Sequence, residues 1–425
     1  MNRRQPIEKV KITHLINKYL RIRAYSTALC ANLQVEDYTV QPIADVSPPK
    51  WHLGHTTWFF EEVILVKHMA DYTRFHQGYR MLFNSYYKSA GEHWLQSQRG
   101  DLSRPTVDEV IDYRSYVDKQ VVDFLSLANV DESVLSLLEI GLHHEQQHQE
   151  LLLMDIKYIL GCNPLSPVYC DQALDTILTL EKAQWCTFDE GVYEVGAIDS
   201  GFAYDNEKPR HKIYNYAFAI SENTITNGEY LAFIQDGGYD RAEFWLSLGW
   251  EWLTDKKIAH PLYWKKIGKE WFEFTLHGLM PLDLNLPVTH VSYFEADAFA
   301  SWKGVRLPIE QELEIYLSAS SACTVTPDSK KRSDNKTSMY HPVASDAHFG
   351  QVWCWTKSHY SGYPGYKPYQ GMLNEYNGKF MCNQFVLKGG CVATPSDHYR
   401  HSYRNFYQPH QRWMFSGIRL AKDIE

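Results

Sequence analysis

Gly141-Leu-His-His-Glu-Gln-Gln-His-Gln-Glu-Leu-Leu-Leu-Met154 is the stretch on which the reading of this chain turns. It lies inside a longer apolar-periodic segment, residues 133–160, closed by Gly161-Cys162-Asn163-Pro164, residues that stop a helix. On a helix, His144 and His148 stand at i and i+4, so both imidazoles leave one face a turn apart and can converge on one ion. The same letters also satisfy His-Glu-x-x-His, in which Glu145 would be the general base of a zinc peptidase.

Upstream, residues 7–33, 51–68 and 107–127 carry apolar residues at helical spacings, and Pro48-Pro49 supplies the stop before the second of these. With 133–160 they make four helices, hence a bundle over residues 1–165 whose interior is a natural place for metal ligands. A third ligand is on offer in Trp51-His52-Leu-Gly-His55-Thr-Thr-Trp-Phe-Phe-Glu61, where His52 and His55 are three apart and either can point inward. Three imidazoles suit Fe(II), Zn or Ni and leave coordination positions open, so ligand type does not name the metal.

Past a connector at 165–182 the texture changes to short strands, many Gly and Pro, and long loops such as the Ser-, Lys- and Asp-rich excursion at 324–337. Only 226–236 and 292–303 read as helices there, too few for a second bundle, so residues 166–425 are expected to form a separate domain and the chain to be α+β. With 425 residues, 44% of them apolar, there is enough chain for two cores. A net charge of −9 offers no basic field for nucleic acid. No apolar run is long enough to span a membrane, and the charged start is unlike a signal sequence, so a cytoplasmic protein with small-molecule substrates is expected. The eight cysteines form no Cys-x-x-Cys pair, which argues against a disulfide framework and a thiolate zinc site.

The two histidine motifs resemble the DinB-like bundle of the ergothioneine-biosynthetic sulfoxide synthases, or hercynine oxygenases. In that family the second histidine of a His-Leu-x-His element joins the two of His-x-x-x-His-x-Glu. The resemblance implies His55, His144 and His148 as ligands of Fe(2+), with His52, His143 and Glu145 structural or partners of the ligands. It continues through Phe188-Asp-Glu-Gly-Val-Tyr-Glu-Val-Gly196, Asp205-Asn-Glu-Lys-Pro-Arg-His211, Thr224-Ile-Thr-Asn-Gly-Glu-Tyr230, Pro287-Val-Thr-His-Val-Ser292, Val352-Trp-Cys-Trp-Thr356 and Phe415-Ser-Gly-Ile-Arg-Leu420. These look like a formylglycine-generating-enzyme domain of C-type-lectin-like fold. Two departures stand out. Cys354 replaces an acidic residue between two tryptophans, and Lys388-Gly-Gly-Cys391 replaces Arg-Gly-Gly-Ser. The paired copper-binding cysteines of formylglycine-generating enzymes are not recognisable, so that activity is not expected.

The implied reaction joins a thiol to the imidazole of hercynine, a trimethylated histidine, with O2, and oxidises the sulfur. By resemblance, Asn405 binds the hercynine carboxylate, Phe406 lines the ammonium pocket with Tyr407 beside it, and Gln147 contacts the substrate. The paired-tyrosine element Phe83-Asn-Ser-Tyr-Tyr87 supplies the proton donor, Tyr87 with Tyr86 as its partner, and resembles the branch that uses free cysteine. Arg99 and Arg104 could hold a second carboxylate, which keeps γ-glutamylcysteine open. Selenoneine synthases, which use a selenosugar, and metal-dependent thiol S-transferases on DinB-like bundles are the alternatives. The zinc-peptidase reading leaves the second half unexplained, and a carbohydrate-binding reading accounts only for that half.

Overall fold

The computed structural model describes residues 4–127, 130–171, 184–323, 340–343 and 350–424. The excursion at 324–337 and most of the connector at 165–182 lie outside these. The chain divides into two compact units, Met1–Asn163 with Gln370–Glu375, and Pro164–Tyr369 with Tyr376–Glu425.

The first unit is built on four long helices: α1 (Arg4–Ala28), α2 (Pro49–Phe59), α3 (Val107–Leu127) and α4 (Glu132–Gly161). Pro49 occupies the first turn of α2, where its missing N–H is no loss and its fixed φ suits the helix. The helix then widens into a π-helical turn, Phe60–Leu65, before Val66–His68. Every residue of α2 is buried, against α3 and α4. Glycine decides two close approaches. A Cβ on Gly141 would lie 2.7 Å from the Phe60 ring, and one on Gly54 only 2.2 Å from the Phe83 ring, so each lets an aromatic side chain pack onto helix backbone. The small segment Gln370–Glu375 completes this unit: the Glu375 carboxylate accepts the N–H of Lys88 at 3.3 Å and of Ser89 at 3.0 Å, just after the tyrosine pair.

The second unit is mixed. β1 (Trp185–Phe188), β4 (Phe218–Ser221) and β12 (Ala421–Asp423) form an antiparallel sheet in the order β1-β4-β12. A second sheet, β10-β9-β8-β11, uses β8 (Trp353–His359), β9 (Phe385–Lys388), β10 (Asn405–Tyr407) and β11 (Ser416–Gly417), with only β8 and β11 parallel. β2 (Gly191–Val195) pairs with β3 (His211–Asn215), and β5 (Trp264–Ile267), β6 (Glu270–Thr275) and β7 (Gly278–Pro281) make a meander. The expected helices are present as α5 (Asn227–Gln235) and α7 (Tyr293–Trp302), each opened by a capping box, Thr226 with Glu229 and Ser292 with Glu295.

The expectation of only two helices in this half is corrected by α6 (Ser247–Lys256) and α8 (Glu310–Cys323). In α8, Leu313, Ile315 and Leu317 alternate like a strand, but Leu313, Tyr316 and Leu317 share one helical face and pack on Phe218, Ile220 and Val352. The helix also carries three buried acids, each with its own cation: Glu310 with Arg404 (2.8 Å), Glu312 with Arg306 (2.7 Å) and Glu314 with Lys388 (2.6 Å). Lys388 thus serves as an internal cation, and Cys354 and Cys391 are buried; the described cysteines form no disulfide. Asp205–Glu207 is a buried 3-10 turn, held through Asn377, Tyr360 and Arg400. Among the described residues, no helix is long and apolar enough to cross a membrane.

Candidate metal centre

α2 and α4 place three imidazoles together. His55, His144 and His148 each offer one ligand nitrogen, all within 4.8 Å of one another. His55 Nε2 and His144 Nε2 are 3.2 Å apart, an edge that two metal–nitrogen bonds of about 2.1 Å can span. His55 is 1% exposed and His144 4%. Burial keeps all three neutral, the ligating form. It holds His55 well below its ordinary range, with His144 adding to the shift; it lowers His144 to about 3; and it holds His148 well below, with His144 and His55 adding to that. His55 Nδ1 donates to the Phe83 carbonyl at 2.7 Å, so its Nε2 carries a bare lone pair. Gly54 permits this bond, because the Phe83 ring lies where a Cβ would be. Neutral, buried nitrogens facing one another fit a divalent ion, and the cluster contains no thiolate or carboxylate.

The neighbouring candidates separate by geometry. Glu145 does not turn to this site. Its Oε2 accepts Arg23 Nη1 at 2.9 Å, and its Oε1 accepts Ser26 Oγ at 2.6 Å and Arg114 Nη2. Burial alone would raise its pKa, but Arg114 and Arg23 hold it at about 2. A carboxylate so engaged cannot serve as a peptidase base, and the His-Glu-x-x-His reading fails on that ground. His52 is not in the cluster. Its Nδ1 lies 2.9 Å from His148 Nδ1 and its Nε2 2.9 Å from Asp155 Oδ2.

Around the histidines runs a column of stacked planar groups. Trp51 stacks on His55 with centroids 4.6 Å apart and planes within 9°, and Trp58 lies on His55 at 5.7 Å and 16°. Tyr87, 1% exposed, stacks on Trp58 at 5.7 Å and packs against Tyr86 at 4.7 Å. The Arg99 guanidinium sits 3.3 Å over the Trp51 ring. It is 6% exposed, donates to Ser47 Oγ at 2.7 Å, and burial pushes it down to about 9. Gln147 is half-buried on α4, between the two histidines of that helix. Asn405, Phe406 and Tyr407 form β10 in the second unit, where Phe406 stacks on Tyr360 at 4.0 Å and 10°. Sequence reading missed Asp155, Trp51 and Trp58. The available signals were the seven-residue step from His148 to Asp155, which returns to the same helix face after two turns, and the tryptophans that bracket His55.

Residues 180–348 and 345–424 match the sulfatase-modifying factor enzyme 1-like domain family, and residues 18–152 the DinB superfamily. The chain is similar to hercynine oxygenase of Mycobacterium tuberculosis, 31% identical over 308 residues, covering 66% of this chain and 70% of that one. It is similar to hercynine oxygenase of Mycolicibacterium thermoresistibile at 30% over 316 residues, 66% and 68% of the two chains. Ergothioneine biosynthesis protein 1 of Schizosaccharomyces pombe is 31% identical over 232 residues, 52% of this chain and 28% of that one. With a three-histidine cluster able to hold a metal ion and both halves matched in order, the chain belongs to the hercynine oxygenase family of oxidoreductases.

Proposed function

We propose that the protein is an Fe(II)-dependent sulfoxide synthase that joins a thiol to the imidazole of hercynine with dioxygen as oxidant. Free cysteine is the first thiol and γ-glutamylcysteine the second. The observation that carries this reading is the convergence of three neutral imidazoles, His55 and His144 buried and His148 half-buried, in a chain of the hercynine oxygenase family. Iron(II) held by these residues supplies open positions and redox capacity for dioxygen chemistry.

The chain's own residues bind, orient and protonate. Trp51 and Trp58 wall His55 and exclude water from its face. Arg99, buried and fixed by one hydroxyl, is assigned to the thiol substrate's carboxylate, since a guanidinium fork matches a carboxylate in two bonds. Arg104 is exposed and bonded to its neighbour's carbonyl, which makes it the weaker candidate. The Tyr87 phenol delivers the proton that sulfoxide formation requires, with Tyr86 positioning it and Tyr407 as an alternative donor. Gln147 and Asn405 bind hercynine's polar groups, and Phe406 faces its trimethylammonium, which an aromatic face holds better than a hydrated primary ammonium.

The test is one assay: hercynine and histidine, each with cysteine, γ-glutamylcysteine or a selenosugar, and products identified by mass spectrometry. Hercynine should be favoured by roughly 5- to 30-fold, the equivalent of 1–2 kcal/mol of cation–aromatic attraction, and the product with cysteine should be a sulfoxide. Equal use of histidine, or a clear preference for the selenosugar, overturns the assignment.

A further inference from the structure

His52 stands one turn before His55 on α2, is 3% exposed, and is bonded at both ring nitrogens. Its Nε2 faces Asp155 Oδ2 at 2.9 Å. An ionised carboxylate only accepts, so the proton of a neutral His52 is on Nε2. His52 Nδ1 is then an acceptor, and the group 2.9 Å away, His148 Nδ1, must be its donor. That assigns the single N–H of a neutral His148 to Nδ1 and leaves Nε2 with its lone pair. Asp155 is fixed in turn, 2% exposed and accepting the Ser47 N–H at 2.8 Å immediately before the prolines that open α2. The other tautomer available to His148 would put a proton on the nitrogen needed for the metal.

We propose that Asp155 and His52 are positioning residues that hold His148 in its Nε2-ligating tautomer and strengthen it as a donor, through two consecutive hydrogen bonds. The proposal rests on His148 being a metal ligand. It makes the ligands unequal: His55 leans on a neutral backbone carbonyl at 2.7 Å, whereas His148 leans on an imidazole backed by a carboxylate. Partners of this kind orient a ligating histidine and raise its basicity.

Cobalt(II), titrated against a competing chelator into the 425-residue chain, tests this without turnover. His148→Ala should lose tight binding. His52→Leu should still bind one Co(II), but with a dissociation constant about 10- to 100-fold higher. His52→Asn, whose amide oxygen can accept the His148 Nδ1–H, should recover part of that loss, and Asp155→Asn should fall between wild type and His52→Leu. Recovery by Asn over Leu is the result that a merely space-filling His52 would not give. Wild-type affinity in both His52→Leu and Asp155→Asn overturns the relay. If His148→Ala also binds as wild type does, the ligand assignment has failed instead. Should His52→Leu not fold, nitrogen-15 spectra of histidine-labelled, Zn(II)-loaded wild type decide the matter. The expected result is a His148 proton on Nδ1; a proton on Nε2 overturns the proposal.

Discussion

Two buried polar clusters share helix α4, and they are built on opposite rules. At Glu145 both oxygens accept donors, and Arg23, Arg114 and Asp118 complete a knot of two positive and two negative charges that cancel inside the bundle. One residue earlier, about 100° around the helix, His144 faces His55, whose inward nitrogen carries no proton. The first cluster is closed and asks for nothing further. The second sets the proton-free Nε2 of His55 against His144 and His148, three imidazoles able to take up a Lewis acid. Burial of a polar group therefore does not mark function; the balance of donors and acceptors inside its cluster does.

The sharpest way to break this contrast is at the ligands. His55→Ala, His144→Ala and His148→Ala should each abolish turnover and lose iron on dialysis, against one iron per chain in the wild type by elemental analysis. His52→Ala should keep iron, held more weakly. Iron lost from His52→Ala but kept by His55→Ala would reverse the ligand choice. At the closed cluster, Glu145→Gln should lower stability by about 3–5 kcal/mol in urea unfolding, because it strands buried arginine charge. The folded fraction should still bind one metal. A stable but metal-free Glu145→Gln would place that carboxylate in the site and end the distinction.

Tyr87→Phe tests the open cluster's surroundings. Iron and substrate binding should be unchanged, while sulfoxide formation slows by roughly 100-fold, the lower end of what a positioned proton donor contributes, with product diverted towards a sulfinate. An unaltered rate and product ratio in the Tyr86→Phe/Tyr87→Phe double variant would remove both residues from the chemistry. The smallest effect concerns Glu61, a third buried carboxylate of the same unit. It accepts Tyr113 Oη at 2.6 Å, Tyr72 Oη at 2.8 Å and the Phe75 N–H at 3.1 Å, all neutral donors. Burial leaves its pKa raised, whereas at Glu145 the two arginines outweigh burial and lower it. A raised folded-state pKa stabilises fully below the unfolded value near 4.5, and that contribution is lost as pH rises through the folded value. Glu61→Gln should therefore gain melting temperature relative to wild type between pH 4.5 and 8. A gain that is flat with pH would show that neutral donors suffice for a buried carboxylate.

Much of the first unit was legible because its signals are local. Four apolar periods, two prolines and an i, i+4 histidine pair each need only a few residues of sequence, and α3 falls on the residues its periodicity predicts. His52 and His55 could not be told apart that way. They are three apart on a helix buried on all sides, and what separates them, the Phe83 carbonyl and the Asp155 carboxylate, comes from 28 and 103 residues away. Glu145 was ambiguous for the same reason, since Arg23 lies 122 residues off in the chain. In the second unit α6 and α8 escaped detection because Trp250 and Trp252, like Leu313, Ile315 and Leu317, alternate in the short range and show helical faces only against their neighbours.

The unit that carries the histidines is written in two places in the gene. Residues 370–375 belong to it, and Glu375 ties down the backbone immediately after Tyr87 through Lys88 and Ser89. A chain severed at 165/166, the division that sequence alone suggests, would leave those two amides without their carboxylate and the tyrosine loop without its clasp. Fragment complementation, in which a peptide covering 370–375 is added back to the severed bundle, would show how much of the loop's order depends on that distant segment.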